Sequence, residues 1–246
     1  MIETFGLSDV GCIRELNEDC FCIHGFDEGT SRGFCILADG MGGHNAGEVA
    51  SQNAVKFIAE EMQKLLNDKD ETEIPGRLCR AVEGANEKVY RMSTENKIHS
   101  GMGTTVVAAF ICEGVAYVAN VGDSRAYAIR SDEIAQITTD HSVVSELVMS
   151  GTITREEARV HPQKNIITRA IGTDSRVKVD IFEYDYSRGD VLLMCSDGLS
   201  GMLDDNEICE IVKAGRNSEE TVCRLVDSAK ENGGLDNITV ICIRFI

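Results

Sequence analysis

A chain of 246 residues with 43% hydrophobic content is long enough to bury one large core or two small ones. Its formal charge of -17 argues against a nucleic-acid partner, because duplex binding rests on basic contacts to phosphate. No run approaches the roughly 18 apolar residues of a membrane span, and the start, MIETFGLSDVG, lacks the basic and apolar regions of a signal peptide, so a cytoplasmic protein without a membrane partner is expected.

The elements follow in chain order. Residues 34–38, FCILA, form a short apolar strand that ends at Asp39. From 46 to 67 the apolar positions Val55, Ile58, Met62, Leu65 and Leu66 recur at helical spacing, and a second helix is predicted from about 74 to 96, with Gly84 inside it costing about 1 kcal/mol relative to alanine. Then come TTVVAAFIC, VAYVANVG, SRAYAIR and IAQIT, short and β-branched or aromatic, separated by turn residues, which read as an antiparallel meander. Short helices around Gly151-Thr152 fill 142–160. VKVDIFEY and DVLLMCS return to strand, helices occupy 205–214 and 218–231, and NITVICIRFI is a last strand. Strand and helix blocks alternate in groups, so the class is α+β with mainly antiparallel sheets. With only Pro75 and Pro162, no repeat and no linker, residues 1–246 are expected to form a single domain.

Ten cysteines sit mostly in apolar runs and read as reduced thiols. None has C-x-x-C spacing, which argues against zinc. The nearest pair, Cys20 and Cys22, is expected to point to opposite faces of a strand.

Several acids invite a functional reading. Asp39 and Asp197 each end an apolar run and are each followed by glycine. An Asp-Gly hairpin turn is the plain alternative at about even odds, but helical patterns rather than strands follow both pairs. A carboxylate at a strand end can hold a hard cation through oxygen. Asp123 and Asp236, taken singly, read as turn or loop acids. Arg14 lies four residues before Glu18, which adjoins Asp19. An exposed charge run explains them, yet the arginine fork also matches phosphate. An anion-binding fork beside a carboxylate set suggests metal-assisted phosphate chemistry.

The segments RELNED, LADGMGGHNAGEVAS, GMGTTVV, VANVGDSRAYAIR, TTDHS, ITRAIG, LLMCSDGL and GGLDNITV follow one another from near the start to the last strand. In order and spacing the chain resembles the metal-dependent serine/threonine phosphatases of the PP2C (PPM) family, particularly their bacterial branch. The resemblance implies a four-layer α-β-β-α sandwich of two antiparallel sheets flanked by helices, with two Mg2+ or Mn2+ ions at one edge. It implies that Asp39 bridges the ions, that the Gly40 carbonyl binds one, that Asp197 and Asp236 bind the other, and that Glu18 reaches a metal through water. It assigns a third, weaker ion to Asp123 with Asp197, and the substrate phosphate to Arg14. The implied reaction is hydrolysis of phosphoserine and phosphothreonine by direct attack of a hydroxide bridging the two ions, with Asp39, Asp197 and Arg14 catalytic. The implied partners are phosphorylated proteins, those of a serine/threonine kinase, and the enzyme is expected to be a monomer under external control. A phosphatase of small metabolites and a pseudophosphatase binding module are the alternatives.

Two rival chemistries fail in the sequence. No cysteine has arginine six residues later, which excludes the C-x5-R phosphatases, and the D-x-D-x-T match at 68–72 follows a helix instead of ending a buried strand. Met41 stands where many eukaryotic relatives carry a proton-donating histidine, and methionine cannot donate. His44 is the nearest substitute in sequence, with metal-bound water the preferred donor. Residues 142–163 resemble the family's variable flap and are expected to affect substrate choice more than the chemical step.

Overall fold

The computed structural model describes residues 1–26, 31–42, 46–68 and 73–246. One sheet contains β1 (Ile2–Asp9), β7 (Arg125–Arg130), β8 (Glu133–Gln136), β10 (Val191–Cys195) and β11 (Ile238–Phe245), in the order β1-β11-β10-β7-β8. The other contains β2 (Asp19–His24), β3 (Gly33–Met41), β5 (Val106–Cys112), β6 (Val115–Val121) and β9 (Asp180–Asp185), in the order β2-β3-β5-β6-β9, with the short β4 (Gly103–Thr104) on β3. The pairings are antiparallel.

The strands read as unbroken apolar runs because both of their faces are covered. On β5, Val106, Ala108 and Phe110 pack against α1 (Ala46–Leu66) and α2 (Ile74–Glu95), whereas Val107, Ala109 and Ile111 meet the opposing sheet. On β10, Leu192 and Met194 join that central layer, while Val191, Leu193 and Cys195 face α5 (Asp197–Ser200), α6 (Asp205–Ala214) and α7 (Ser218–Glu231). This is the expected four-layer α-β-β-α sandwich. No described helix is long and apolar enough to cross a membrane.

Local chemistry sets the helix ends. Asp204 and Glu207 form a capping box before α6, and the Asn217 side chain accepts the Glu220 N–H before α7. Gly84 has a packing reason inside α2, since a Cβ there would stand 2.7 Å from the Phe57 ring of α1.

The expected four-strand meander is instead two hairpins. β5 and β6 pair in the six-stranded sheet, β7 and β8 in the five-stranded one. The chain changes sheets at Gly122-Asp123-Ser124, where Gly122 has φ +112° and a Cβ would press on Thr105 at 2.6 Å. Period-two alternation cannot tell which sheet receives a strand buried on both faces. Cys20 and Cys22 both pack toward the helices, because residues two apart on a strand share a face. Their sulfurs still form no disulfide.

Arg125 anchors the entry to β7. Its Nε and Nη2 donate to the Asp140 carboxylate at 2.7–3.0 Å, and Nη1 donates to Tyr127 Oη at 2.9 Å. Both members of the pair are largely enclosed, at 23% and 12% side-chain exposure. Arg125→Ala therefore lowers stability by about 3–5 kcal/mol, because the enclosed Asp140 charge keeps only the neutral Gln136 amide as a partner. Urea denaturation checks this, and Arg125→Lys recovers only part of the loss, lacking the planar fork.

Candidate metal centre

At one end of the two sheets, carboxylates from five chain segments meet. Asp39 lies within β3, which continues through Met41. Its backbone is clamped: Asp39 N donates to Thr105 Oγ1 at 3.0 Å, and its carbonyl accepts from Thr104 Oγ1 and Thr105 N, both at 2.8 Å. Asp123 occupies the sheet-crossing turn beside Ser124, whose hydroxyl pairs with that of Thr105 at 2.7 Å. Asp197 opens α5, and Gly198 brings this turn against the 236–237 loop, since a Cβ there would collide with the Asn237 carbonyl oxygen.

These half-buried side chains feel one another. Burial, then the charges of Asp19, Asp197, Asp123 and Asp236, pushes Asp39 well above the usual carboxylate range. Asp123 is raised to about 8, first by burial and then by Asp197 and Asp140. Asp197 is raised by burial and by Asp236, offset by a hydrogen bond with Asp39. Such like-charged sets are costly unless protons or cations compensate them. Among the described residues, no three Asp, Glu, His or Cys side chains close on a single point at ligating distance.

Asp19 joins this set and was missed by the sequence reading, which singled out its neighbour. Asp19 pairs with Asp39 across β2–β3. Its Oδ2 accepts from Thr239 Oγ1 at 2.6 Å and Ser196 Oγ at 2.9 Å, while Oδ1 is buried without a hydrogen-bond partner. Burial raises its carboxyl to about 7. Alternation on β2 carried the signal: Phe21 and Ile23 face the layer between the sheets, so Asp19 must too.

Glu18 is engaged at the start of α1, still within electrostatic reach of Arg14 and Asp236. Its carboxylate accepts the N–H groups of Gly47 and Glu48 at the start of α1, and burial raises it above the ordinary glutamate range. Its own carbonyl takes Ser51 Oγ at 2.6 Å. Gly40 sits beneath this contact, and a Cβ there would strike the carbonyl oxygens of Gly47 and Glu18. Arg14 projects from the 10–18 loop and donates to Asp236 Oδ2 at 2.7 Å, with half of its side chain still exposed. Met41 lies over Gly103, where a Cβ would come within 2.7 Å of its Cε. His44 lies outside the described residues, as do residues 69–72 of the D-x-D-x-T match.

The model of the family described as protein phosphatase 2C matches residues 7–238. The chain belongs to the protein phosphatase 2C family. Among its PP2C relatives is the serine/threonine phosphatase stp of Listeria monocytogenes, 39% identical over 236 residues that cover 96% of this chain and 93% of that protein. A solved structure of serine/threonine phosphatase Stp1 from Staphylococcus aureus is 40% identical and superposes with a TM-score of 0.90, covering 100% of this chain and 96% of the other. The catalytic domain of the serine/threonine protein phosphatase PstP, solved in complex with two manganese ions, is 33% identical with a TM-score of 0.84, covering 99% and 97%. In this PP2C chain, the carboxylate cluster and Arg14 stand at one edge of the superposed sandwich.

Proposed function

We propose that the carboxylate cluster is the metal centre at which this protein serine/threonine phosphatase hydrolyses phosphoserine and phosphothreonine in proteins. One observation carries the reading: acidic side chains from five segments crowd together, and the buried Asp19 Oδ1 has no hydrogen-bond donor. All-oxygen anionic donors suit Mg2+ or Mn2+. Asp39, the Gly40 carbonyl, Asp197, Asp236 and Asp19 would hold two such ions, with Asp123 and Asp197 available to a third. When bound, the ions supply an acidified water for direct attack on phosphorus and offset the charge of the phosphate.

The chain's own residues do the rest. Arg14, which donates to Asp236 here, would offer its fork to the phosphoryl oxygens when Asp236 serves a cation. Thr104 and Thr105 hold the Asp39 backbone, and Ser196 and Thr239 orient Asp19. Glu18 acts by fixing α1 against β3 through Gly47 and Glu48. Met41 offers no proton, so the leaving alcohol is protonated from elsewhere. If His44 is that source, the alkaline limb of the pH–rate profile shifts or vanishes in His44→Ala; an unchanged profile removes it.

Residues 142–163 act as the flap. They fold as α3 (Val143–Met149) and α4 (Arg155–Val160), with Met149 and Val160 exposed, and Arg159 Nη2 donates to Leu203 O in the loop after α5. Exchanging the flap for that of another family member should change phosphopeptide preference and leave Mn2+ affinity unchanged, measured by steady-state kinetics and calorimetry. The enzyme works as a monomer on substrates of a serine/threonine kinase, in the cytoplasm, where its ten free thiols suit a reducing environment.

The deciding experiment is phosphate release from a phosphothreonine peptide with Mn2+ and then with excess chelator. Release that stops on chelation supports the reading. Chelator-resistant release, or a folded chain that acts on sugar phosphates and ignores phosphopeptides, overturns it.

A further inference from the structure

Nine large apolar side chains are exposed among the described residues, and three of them border Arg14 and Asp236: Ile13 at 64%, Leu16 at 38% and Leu235 at 55% exposure. Ile13 and Leu16 lie on the 10–18 loop that carries Arg14, and Leu235 immediately precedes Asp236. Backbone contacts hold the two loops together. Cys12 N donates to Gly234 O at 2.8 Å, and Asn237 Nδ2 donates to Val10 O at 3.0 Å and Leu16 O at 2.9 Å. Gly11, at φ +80°, permits the approach, because a Cβ there would collide with Asp236 O. The loops therefore keep their shape without help from the apolar side chains, which remain turned to solvent.

These exposed apolar side chains lie on the two loops that carry Arg14 and Asp236. They thus adjoin the cation that we read as the phosphate-holding residue, and this inference rests on that reading. We infer that Ile13, Leu16 and Leu235 form a specificity rim that takes bulky aliphatic side chains flanking the phosphoresidue of a protein substrate. Adjacent residues of a chain are 3.8 Å apart, so with the phosphate on Arg14 the neighbours within two positions fall on the rim. The overall negative charge disfavours acidic flanks, so the preferred segment is apolar and non-acidic around its phosphothreonine or phosphoserine.

The test compares three phosphothreonine peptides, with Leu, Ser or Asp on both sides of the phosphoresidue, in the wild type and in Ile13→Ser/Leu235→Ser. Hydrolysis of p-nitrophenyl phosphate is measured in parallel. In the wild type, kcat/KM for the Leu peptide exceeds that for the Ser peptide by about tenfold, which corresponds to about 1.4 kcal/mol, and the Asp peptide is poorest. In the double variant the Leu advantage falls to near unity while p-nitrophenyl phosphate turnover holds, and Leu235→Met alone keeps the preference. Equal rates for Leu and Ser peptides in the wild type, or a Leu preference that survives in the double variant, overturn the rim. Normal p-nitrophenyl phosphate turnover beside either result leaves the phosphatase reading standing, whereas a folded, Mn2+-supplied chain inactive on every substrate sinks both.

Discussion

Asp39→Asn lowers kcat/KM for a phosphopeptide by about a thousandfold or more, equivalent to about 4 kcal/mol of transition-state stabilisation, and raises the melting temperature of the metal-free chain. The two effects share a cause. Burial together with the charges of Asp19, Asp197, Asp123 and Asp236 makes the ionised form of Asp39 unfavourable in the folded state. A carboxyl raised above its unfolded value loses stability as pH climbs past the unfolded value, so at pH 7 the metal-free fold bears that penalty. Asparagine carries no charge and can still receive and donate hydrogen bonds, so the penalty goes. The cation that compensated it goes as well. Saturating Mn2+ stabilises the wild type by about 2.7 kcal/mol at a hundredfold excess over Kd, and the variant shows little of this shift. Thermal scans with Mn2+ and with chelator, run beside phosphopeptide kinetics, check both. A variant that kept its Mn2+ shift and lost less than tenfold in rate would remove Asp39 from the centre of the site.

Why some features were legible and others were not follows from what a sequence pattern encodes. The helix at 46–67 was readable, and the structure gives Ala46–Leu66, because its apolar positions alone face one sheet. The helices at 205–214 and 218–231 were legible to the residue because Asp204 and Asn217 supply their caps locally. Sheet membership was not legible. VANVG and SRAYAIR look like consecutive strands of one ribbon, and nothing local says that Gly122-Asp123-Ser124 carries the chain between sheets. That same crossing brings Asp123 within electrostatic reach of Asp39 and Asp197, so the element least readable from pattern is the one that adds a carboxylate to the cluster. Asp39, Asp197 and Asp236 were legible from their motifs, and the structure brings them within electrostatic reach of one another. The Glu18–Asp19 pair was harder, because a charge run shows two acids and not which face each takes. Resolving it needed the alternation of Asp19, Phe21 and Ile23, and then the α1 N-terminus, which occupies Glu18 from 29 residues downstream at Gly47.

That inversion carries the second large effect. Asp19→Asn costs more activity than Glu18→Gln: about a hundredfold in kcat/KM against less than about tenfold. The reason is that Asp19 has a buried Oδ1 with no hydrogen-bond partner, while the Glu18 carboxylate is already engaged by Gly47 and Glu48. Loss of an oriented oxygen at a metal site also weakens metal binding by about 10–100-fold. The pH dependence separates this from simple damage to the fold. Asp19 holds its proton up to about 7, because burial outweighs its hydrogen bonds from Thr239 and Ser196. A cation must displace that proton, so apparent Mn2+ affinity in the wild type rises with pH up to about 7. Metal-free stability moves the opposite way, falling as pH climbs from the unfolded carboxylate value of about 3.9 to about 7. In Asp19→Asn both slopes become shallower over that window, whereas the contribution of Asp123, which extends to about 8, persists. Calorimetric Mn2+ titration from pH 5.5 to 8.5, with melting curves in chelator, resolves the two slopes. If Glu18→Gln instead removed the slope near 7 and Asp19→Asn left it, the Glu18 carboxylate rather than that of Asp19 would be the one that exchanges its proton for the cation.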